Sequence, residues 1–280
     1  MIAGFDDESS LELDGITDSG PFALPLGARL DRDLAYGPDP LQRLDVYHPA
    51  AAVDAPVIFM VHGGGWARGN KGLWRVVRNK VGHWVAKGYL LVSTNYRMVP
   101  AADPLTQVDD VAKAIAFVQG RLKSWGGHPS RIVIMGHSSG AHLVALLTAD
   151  PKIATHAGIT SWRAAVLLDC AAMNVEQLMR RRHLRLYDQV FKNDPGYWRE
   201  ASPTLRLTGK PVAPLLAVCS AQRLDSGPQA QEFAARAQQF GGRAEVLLVD
   251  LGHPQVNAYL GMPGAYTRSV DTFLTSVGLP

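Results

Sequence analysis

One segment constrains the fold more than any other: residues 131–142 read RIVIMGHSSGAH, an apolar strand, a glycine–serine turn and the start of a helix. The pentapeptide Gly136-His137-Ser138-Ser139-Gly140 fits the pattern G-x-S-x-G. In that pattern the central serine lies on a tight, strained turn, and the two glycines allow strand and helix to approach closely. The segment therefore predicts that the hydroxyl of Ser138 projects above a β-sheet as a nucleophile.

The rest of the chain alternates between short apolar runs and helical patterns. The predicted strands cover residues 43–47, 56–61, 89–93, 131–135, 162–168, 214–219 and 244–249. The predicted helices cover residues 76–87, 108–122, 142–149 and 266–276, with one more around Phe233. This order is typical of an α/β fold with a mostly parallel central sheet flanked by helices. Reactive groups in such folds lie at the carboxyl ends of the strands.

A second glycine motif follows another predicted strand. Residues 58–66 read IFMVHGGGW, so His62-Gly63-Gly64-Gly65 lies at the carboxyl end of that strand. Acyl transfer places negative charge on a carbonyl oxygen, which preorganised backbone N–H groups stabilise. Glycines allow the backbone to approach that oxygen closely. The motif therefore predicts an oxyanion loop upstream of Ser138.

With these two motifs in this order, the chain resembles the α/β-hydrolase superfamily, specifically its HGGG-bearing branch of hormone-sensitive-lipase-like carboxylesterases and arylformamidases. The resemblance covers about residues 40–278 and implies the α/β-hydrolase fold. It also implies that the N–H groups of Gly64, Gly65 and Ser139 form an oxyanion hole, and that His62 braces the loop. Asn95-Tyr96-Arg97 matches the family's Asp-Tyr-Arg, with asparagine in place of aspartate, and its role is implied to be structural.

A serine nucleophile needs a base, and the base needs an orienting carboxylate. The resemblance implies that the acid and then the histidine follow the serine along the chain. His253, after the last predicted strand, is the predicted base, and Asp225, the only carboxylate in the loop after residues 214–219, is the predicted acid. Glu232 and Asp250 are the alternatives to Asp225. Asp169, which ends an earlier strand, is interpreted as structural.

Three other side chains flank the motifs. His137 and His142 are interpreted as packing and hydrogen-bonding groups near the serine turn. Trp66, beside the glycine loop, is either a binding contact for an aryl substrate or a packing residue, and both interpretations stay open.

We expect one hydrolase domain over residues 1–280. Residues 1–28 have weak periodicity and are expected to form an N-terminal arm, either disordered or folded over the mouth of a pocket. Residues 172–205 interrupt the alternation and predict a small helical insertion that acts as a lid. The alternative is that this segment is a surface region without a role in substrate specificity.

Charge, apolar content and the motifs that are missing limit the classes of function that this sequence predicts. The net charge is +3 with dispersed basic residues, which argues against nucleic acid, and the run Arg180-Arg181-Arg182 is interpreted as a solvated helix face. No apolar stretch is long enough to span a membrane and no signal peptide is recognisable, so we expect a cytoplasmic protein without a membrane partner. Motifs for metal ligands or phosphate loops are missing from the sequence, so no metal and no cofactor is expected.

The sequence supports three functional hypotheses. The first is a serine esterase that cleaves small or medium carboxylic esters through an acyl-enzyme on Ser138. The second is an arylformamidase or amidase with the same machinery, so the expected partner is a small ester or amide. The third is a catalytically silent hydrolase fold that binds ligands. Assembly into a homo-oligomer stays open.

Overall fold

The computed structural model describes residues 22–280, and its centre is an eight-stranded sheet with the order β1-β2-β4-β3-β5-β6-β7-β8. β1 and β2 pair antiparallel, as do β2 and β4, whereas the pairs from β4 through β3 to β8 are parallel. The strands are β1 (Arg29–Ala35), β2 (Arg43–His48), β3 (Ala55–Val61), β4 (Leu90–Thr94), β5 (Gly127–His137), β6 (Ala164–Leu168), β7 (Leu215–Ser220) and β8 (Ala244–Val249). The predicted α/β fold with a mostly parallel sheet is confirmed.

Helices cover both faces of the sheet. They are α1 (Trp74–Lys80), α2 (Pro104–Gln119), α3 (Ser139–Ala149), α4 (Pro151–Ala157), α5 (Val175–Met179), α6 (Arg185–Phe191), α7 (Pro195–Glu200), α8 (Pro203–Arg206), α9 (Ser226–Gln239), α10 (His253–Ala258) and α11 (Ala265–Ser276). The helix predicted from residue 76 is a composite, because α1 continues into the π-helical segment Val81–Val85. A short 3₁₀ helix, Leu122–Trp125, precedes β5.

Successive side chains of the central strands point to opposite faces of the sheet, so the core has two parts, one on each face. Phe59 and its neighbours Val57 and Val61 pack in the cluster that contains α2, α3 and α9. Ile58 and Met60, between them in sequence, pack in the cluster that contains α1, α10 and α11. All seven residues of β3 are buried, as expected of a parallel strand that is covered on both faces. Burial on both faces fixes the central strands, and with them the residues at their carboxyl ends.

Three elements were not predicted from the sequence: β1, α4 and α10. β1 reads RLDRDLA and lies at the sheet edge, where it is largely exposed. Its charged residues replace the apolar run that marks a central strand. Of the predicted N-terminal arm, residues 1–21 lie outside the described residues. Phe22 stacks on Tyr47 of β2 with ring centroids 6.1 Å apart.

The segment between β6 and β7 forms the four short helices α5 to α8. These helices lie in the range for which the helical insertion is predicted, residues 172–205, while its role as a lid stays a prediction. The insertion has its own buried residues, including Phe191 and Trp198, which join the core cluster beside α3. Because these side chains are buried against the body of the fold, the insertion is packed in place rather than only tethered.

Lys80, the last residue of α1, is 1% exposed. Its ammonium donates hydrogen bonds to the main-chain carbonyl of Asn257, 2.7 Å away, and to Oδ1 of the same residue, 2.8 Å away. Burial lowers the pKa of Lys80 from 10.5 to about 7. Lys80 thereby connects α1 to α10, the helix that begins with His253.

Between pH 7 and pH 10.5 the unfolded chain holds a proton that folded Lys80 has released, so its contribution to stability rises with pH. We expect the free energy of unfolding to increase across this window more steeply in the wild type than in Lys80→Met. Urea unfolding at a series of pH values measures both slopes. Lys87→Met is the control, because its side chain is 47% exposed. Equal slopes in wild type and Lys80→Met would contradict the expectation.

Candidate active site

Ser138 lies between β5 and α3 on the turn that the motif predicts. Its φ of 53° and ψ of −120° are strained for a residue with a side chain. A Cβ at Gly136 would collide with the carbonyl oxygen of Gly140, and a Cβ at Gly140 would collide with the carbonyl oxygen of Val61. Strand and helix therefore cross where only hydrogen fits, and the turn presents Ser138 at the carboxyl edge of the sheet.

His253, the first residue of α10, lies against Ser138. Its Nε2 is 3.1 Å from Oγ of Ser138, and the imidazole is 6% exposed. Its Nδ1 lies 2.6 Å from Oδ2 of Asp169. The carboxylate accepts a hydrogen bond from Nδ1, so we assign the proton to Nδ1 and leave Nε2 as the acceptor for the serine hydroxyl. The structure thus brings the predicted nucleophile and the predicted base into hydrogen-bonding distance.

The prediction that Asp225 orients His253 is wrong, because Asp169 occupies that position. Asp225 begins the turn into α9, its side chain is 42% exposed, and its Oδ2 pairs with Nη2 of Arg223 at 3.2 Å. Neither alternative lies there: Glu232 accepts a hydrogen bond from Asn174, and Asp250 accepts one from Gln222. The interpretation of Asp169 as only structural is corrected at the same time.

Strand order explains why Asp169 is the carboxylate at the histidine. β6 is the neighbour of β5, and the N–H of Ser138 donates to the carbonyl of Leu168 at 2.8 Å. Ser138 and Asp169 therefore leave adjacent strands side by side, whereas β7 is one strand further away. The sequence did carry a signal, since the apolar run AAVLL of β6 ends close to an aspartate and reactive groups collect at such strand ends.

Asp169 is completely buried and has a hydrogen-bond donor for each oxygen. Oδ1 accepts from the N–H of Ser220 at 2.8 Å, and Oδ2 accepts from His253 and from Nη1 of Arg223 at 3.1 Å. Burial alone raises the pKa of Asp169, but the hydrogen bond from His253 and the charge of Arg223 outweigh it. The pKa of Asp169 is held well below its ordinary value, so the group is a carboxylate at neutral pH.

Arg223 is a residue of this site that the sequence interpretation missed. Its side chain is 12% exposed and bridges Asp169 and Asp225. Nη1 also lies 2.9 Å from Nδ1 of His253. Because that histidine nitrogen already donates its hydrogen to Asp169, the guanidinium bonds to the carboxylate and only packs against the ring edge. The loop after β7 therefore supplies a cation to the pair rather than the predicted acid.

The glycine loop after β3 lies beside the serine. A Cβ at Gly63 would be 3.0 Å from Cβ of Ser138. Gly64 and Gly65 have φ values of 129° and 61°, which side-chain-bearing residues adopt only with strain, and a Cβ at Gly64 would collide with the carbonyl of Arg68. The structure thus brings the predicted oxyanion loop and the start of α3, Ser139, to the same serine.

His62 braces this loop. Its Nδ1 donates to the carbonyl of Gly63 at 2.8 Å, and its ring stacks on Tyr96 with centroids 4.6 Å apart. The hydroxyl of Tyr96 in turn donates to the carbonyl of His62 at 3.0 Å. Burial lowers the pKa of His62 to about 4, so it is a neutral hydrogen-bond donor. The next residue of the segment, Arg97, pairs with Asp110 at 2.7 Å, and these contacts fit the structural roles implied by the family resemblance.

Trp66 follows the loop and is 4% exposed. Its Nε1 donates to Nδ1 of His142 at 3.1 Å, and Nε2 of His142 donates to the carbonyl of Ala201 at 2.7 Å. The indole also packs edge-on against Phe191, 5.0 Å between centroids. Its polar group and its faces are therefore occupied by protein, which favours the packing interpretation over a contact with an aryl substrate.

His137 packs against His253, the predicted base, and hydrogen-bonds to its main chain. Its Nε2 donates to the carbonyl of His253 at 3.1 Å, and the two rings are 4.6 Å apart. Burial and the neighbouring His253 lower the pKa of His137 well below its ordinary value. It is therefore a neutral hydrogen-bond donor, as the packing interpretation predicts.

Solved structures share this architecture. Esterase B from Lactobacillus rhamnosis superimposes with a TM-score of 0.72 over 91% of this chain and 87% of that one, at 17% identity. A truncated carbohydrate esterase from gut microbiota gives 0.74 over 89% and 96%, at 20% identity. The BD-FAE family model matches residues 44–161, a range that contains both glycine motifs. These likenesses show that the chain has the α/β-hydrolase fold.

Curated relatives of this chain are named as esterases. A probable isoprenylcysteine alpha-carbonyl methylesterase of Oryza sativa subsp. japonica is 34% identical over 57% of this chain and 39% of its own length. A second rice protein of that description is 26% identical over 83% and 59%. Esterase LipQ of Mycobacterium tuberculosis is 29% identical over 78% and 55%. The chain thus spans about half the length of these curated relatives.

Two kinds of feature are absent from residues 22–280, a membrane-spanning helix and a cluster of metal ligands. No helix in this range is long and apolar enough to cross a membrane. Nor does the same range contain a group of three or more histidine, cysteine, aspartate or glutamate side chains that could hold a metal ion.

Proposed function

We propose that this α/β-hydrolase cleaves carboxylic esters of small or medium size through an acyl-enzyme on Ser138. The observation that carries the proposal is the hydrogen-bonded series Ser138–His253–Asp169, with distances of 3.1 Å and 2.6 Å. Nucleophilic acyl transfer requires a serine, a histidine whose Nε2 carries no proton, and a buried carboxylate at Nδ1 of that histidine. The esterase names of the curated relatives support the same reaction class.

In the first half-reaction, Oγ of Ser138 attacks the ester carbonyl carbon while Nε2 of His253 takes the hydroxyl proton. The carbonyl π electrons move to oxygen, and the backbone N–H groups of Gly64, Gly65 and Ser139 are proposed to hold this oxyanion. When the intermediate collapses, the bond to the alcohol oxygen breaks, and His253 gives its proton to the leaving alcohol. The acyl group remains on Ser138.

In the second half-reaction, water attacks the acyl-enzyme while His253 takes one of its protons. The bond from the acyl carbon to Ser138 breaks, the proton returns to Oγ, and the carboxylic acid leaves. Asp169 is proposed to fix the tautomer of His253 and to stabilise the imidazolium in both steps. Arg223 keeps Asp169 ionised and in place through its bond to Oδ2.

Two measurements test the proposal. We expect turnover of p-nitrophenyl acetate and stoichiometric labelling of Ser138 by a fluorophosphonate probe. N-Formylkynurenine is the competing substrate, because the alternative activity is deformylation by the same machinery. Fast deformylation without ester turnover would replace the ester proposal by the formamide one. Absence of labelling and of both turnovers would favour a ligand-binding protein.

The remaining expectations belong to the same proposal. We propose that residues 1–280 form one hydrolase domain in which residues 172–205 act as a lid, and that the enzyme needs no cofactor or metal. Activity that persists after dialysis against a chelator supports the last point. We also propose a cytoplasmic location, which cell fractionation tests. Whether the enzyme forms a homo-oligomer is tested by analytical ultracentrifugation.

A further inference from the structure

Helix α6 of the insertion lies directly against the proposed oxyanion loop. A Cβ at Gly65 would be 2.7 Å from Cδ2 of Leu186, so this leucine touches the glycine backbone. The following residue of the loop, Trp66, packs against Tyr187 with centroids 6.0 Å apart and against Phe191 with centroids 5.0 Å apart. Two consecutive loop residues are therefore covered by three side chains of one short helix.

The position of α6 is held by buried contacts. Phe191, its last residue, is completely buried, and its carbonyl accepts a hydrogen bond from Nε1 of Trp198 at 3.1 Å. Leu186 differs from Phe191, because it is only partly buried against the core cluster. Leu186 is thus a partly exposed apolar side chain on a fixed helix beside the loop. We expect it to form a wall of the site that a bound substrate contacts.

The reaction proposed above decides which part of the substrate meets this wall. Once the former carbonyl oxygen is at the N–H of Gly65 and the carbonyl carbon is bonded to Ser138, that carbon carries two further substituents, the alcohol and the acyl chain. His253 must deliver its proton to the alcohol oxygen, so the alcohol lies on the side of His253. The contacts of His253 are with Asp169 and the groups around it, whereas Leu186 lies at the loop.

We infer that Leu186 limits the acyl chain, so that this hydrolase prefers esters of short acids such as acetate. The inference rests on the proposed ester hydrolysis. A longer acyl chain directed away from His253 must displace Leu186, which the packed helix resists. A smaller side chain at this position makes room for additional methylene groups without altering the serine, the histidine or the carboxylate.

The test measures kcat/KM for p-nitrophenyl acetate, butyrate, hexanoate and octanoate. In Leu186→Ala we expect the hexanoate-to-acetate ratio to rise by about tenfold or more, the effect typical of one or more methylene groups gaining space in an apolar pocket. In Leu186→Phe the ratio falls, which keeps the test decisive if the alanine variant folds poorly. Leu178→Ala, the same truncation in α5, is the matched control and leaves the ratio unchanged.

A second series with methyl, butyl and hexyl acetate varies only the alcohol. If Leu186→Ala changes this series and not the acyl series, the assignment of Leu186 to the acyl side is overturned. If acetate is hydrolysed and neither series responds, the inference fails while the proposed function stands. Failure to hydrolyse any of these esters, together with unlabelled Ser138, rejects the proposed function and the inference with it.

Discussion

Replacing Ser138 with alanine is expected to lower kcat for p-nitrophenyl acetate by about 10⁶-fold, the size of effect seen when the nucleophile of a serine hydrolase is removed. The reason is that no other hydroxyl is joined to His253 in the described structure, where Oγ of Ser138 lies 3.1 Å from Nε2. Initial rates at saturating substrate measure the loss, with enzyme purified separately from the wild type. Unfolding by urea verifies that the variant is folded.

Ser130→Ala is the matched control, because Ser130 is an exposed serine on the same strand, hydrogen-bonded to His128. This variant is expected to keep the wild-type rate and to be labelled by a fluorophosphonate as the wild type is. Mass spectrometry of the labelled peptide locates the adduct. An adduct on a serine other than Ser138, or substantial turnover by Ser138→Ala, would contradict the assignment of the nucleophile.

Asp169→Asn is expected to lower kcat by about 10³- to 10⁴-fold, because an amide neither stabilises the imidazolium nor selects the tautomer with the proton on Nδ1. Its volume is nearly that of aspartate, so the packing around Ser220 and Arg223 changes little. The loss of a buried carboxylate that holds Arg223 is expected to reduce stability as well, so kcat is compared only under conditions where urea unfolding shows a folded variant.

Asp225→Asn makes the same chemical change on the other side of Arg223. Its carboxylate is 42% exposed and reaches Arg223 rather than His253, so we expect kcat to fall by less than about tenfold, as for an exposed ion pair. The comparison of the two variants is the informative result. A larger loss in Asp225→Asn than in Asp169→Asn would return the orienting role to the loop after β7.

The fold could be predicted largely from the sequence because its central strands are covered on both faces. Such strands must be continuously apolar, and β3 is an example with every residue buried. β1 escaped the prediction because it is exposed at the edge of the sheet. α10 escaped because its short sequence, HPQVNA, has no long apolar periodicity, although a proline in its first turn is typical of a helix start.

Within the site, the sequence by itself determined the groups whose roles depend on local backbone geometry. Ser138 needs glycines on both sides because strand and helix cross there, and the loop at Gly64 needs positive φ values. Both constraints act within a few residues and therefore leave a readable pattern. His253 was predictable from its place in the chain, because it lies shortly after the end of β8, where the family resemblance implies the base.

Only the tertiary structure decided which carboxylate reaches that histidine. Asp169 and Asp225 both lie in segments that follow parallel strands, and nothing local distinguishes them. The order of strands in the sheet places β6 beside β5, so Asp169 lies next to Ser138, while Arg223 comes between His253 and Asp225. Contacts between segments that are far apart in sequence depend on strand order and side-chain packing, and a single sequence does not display either of them.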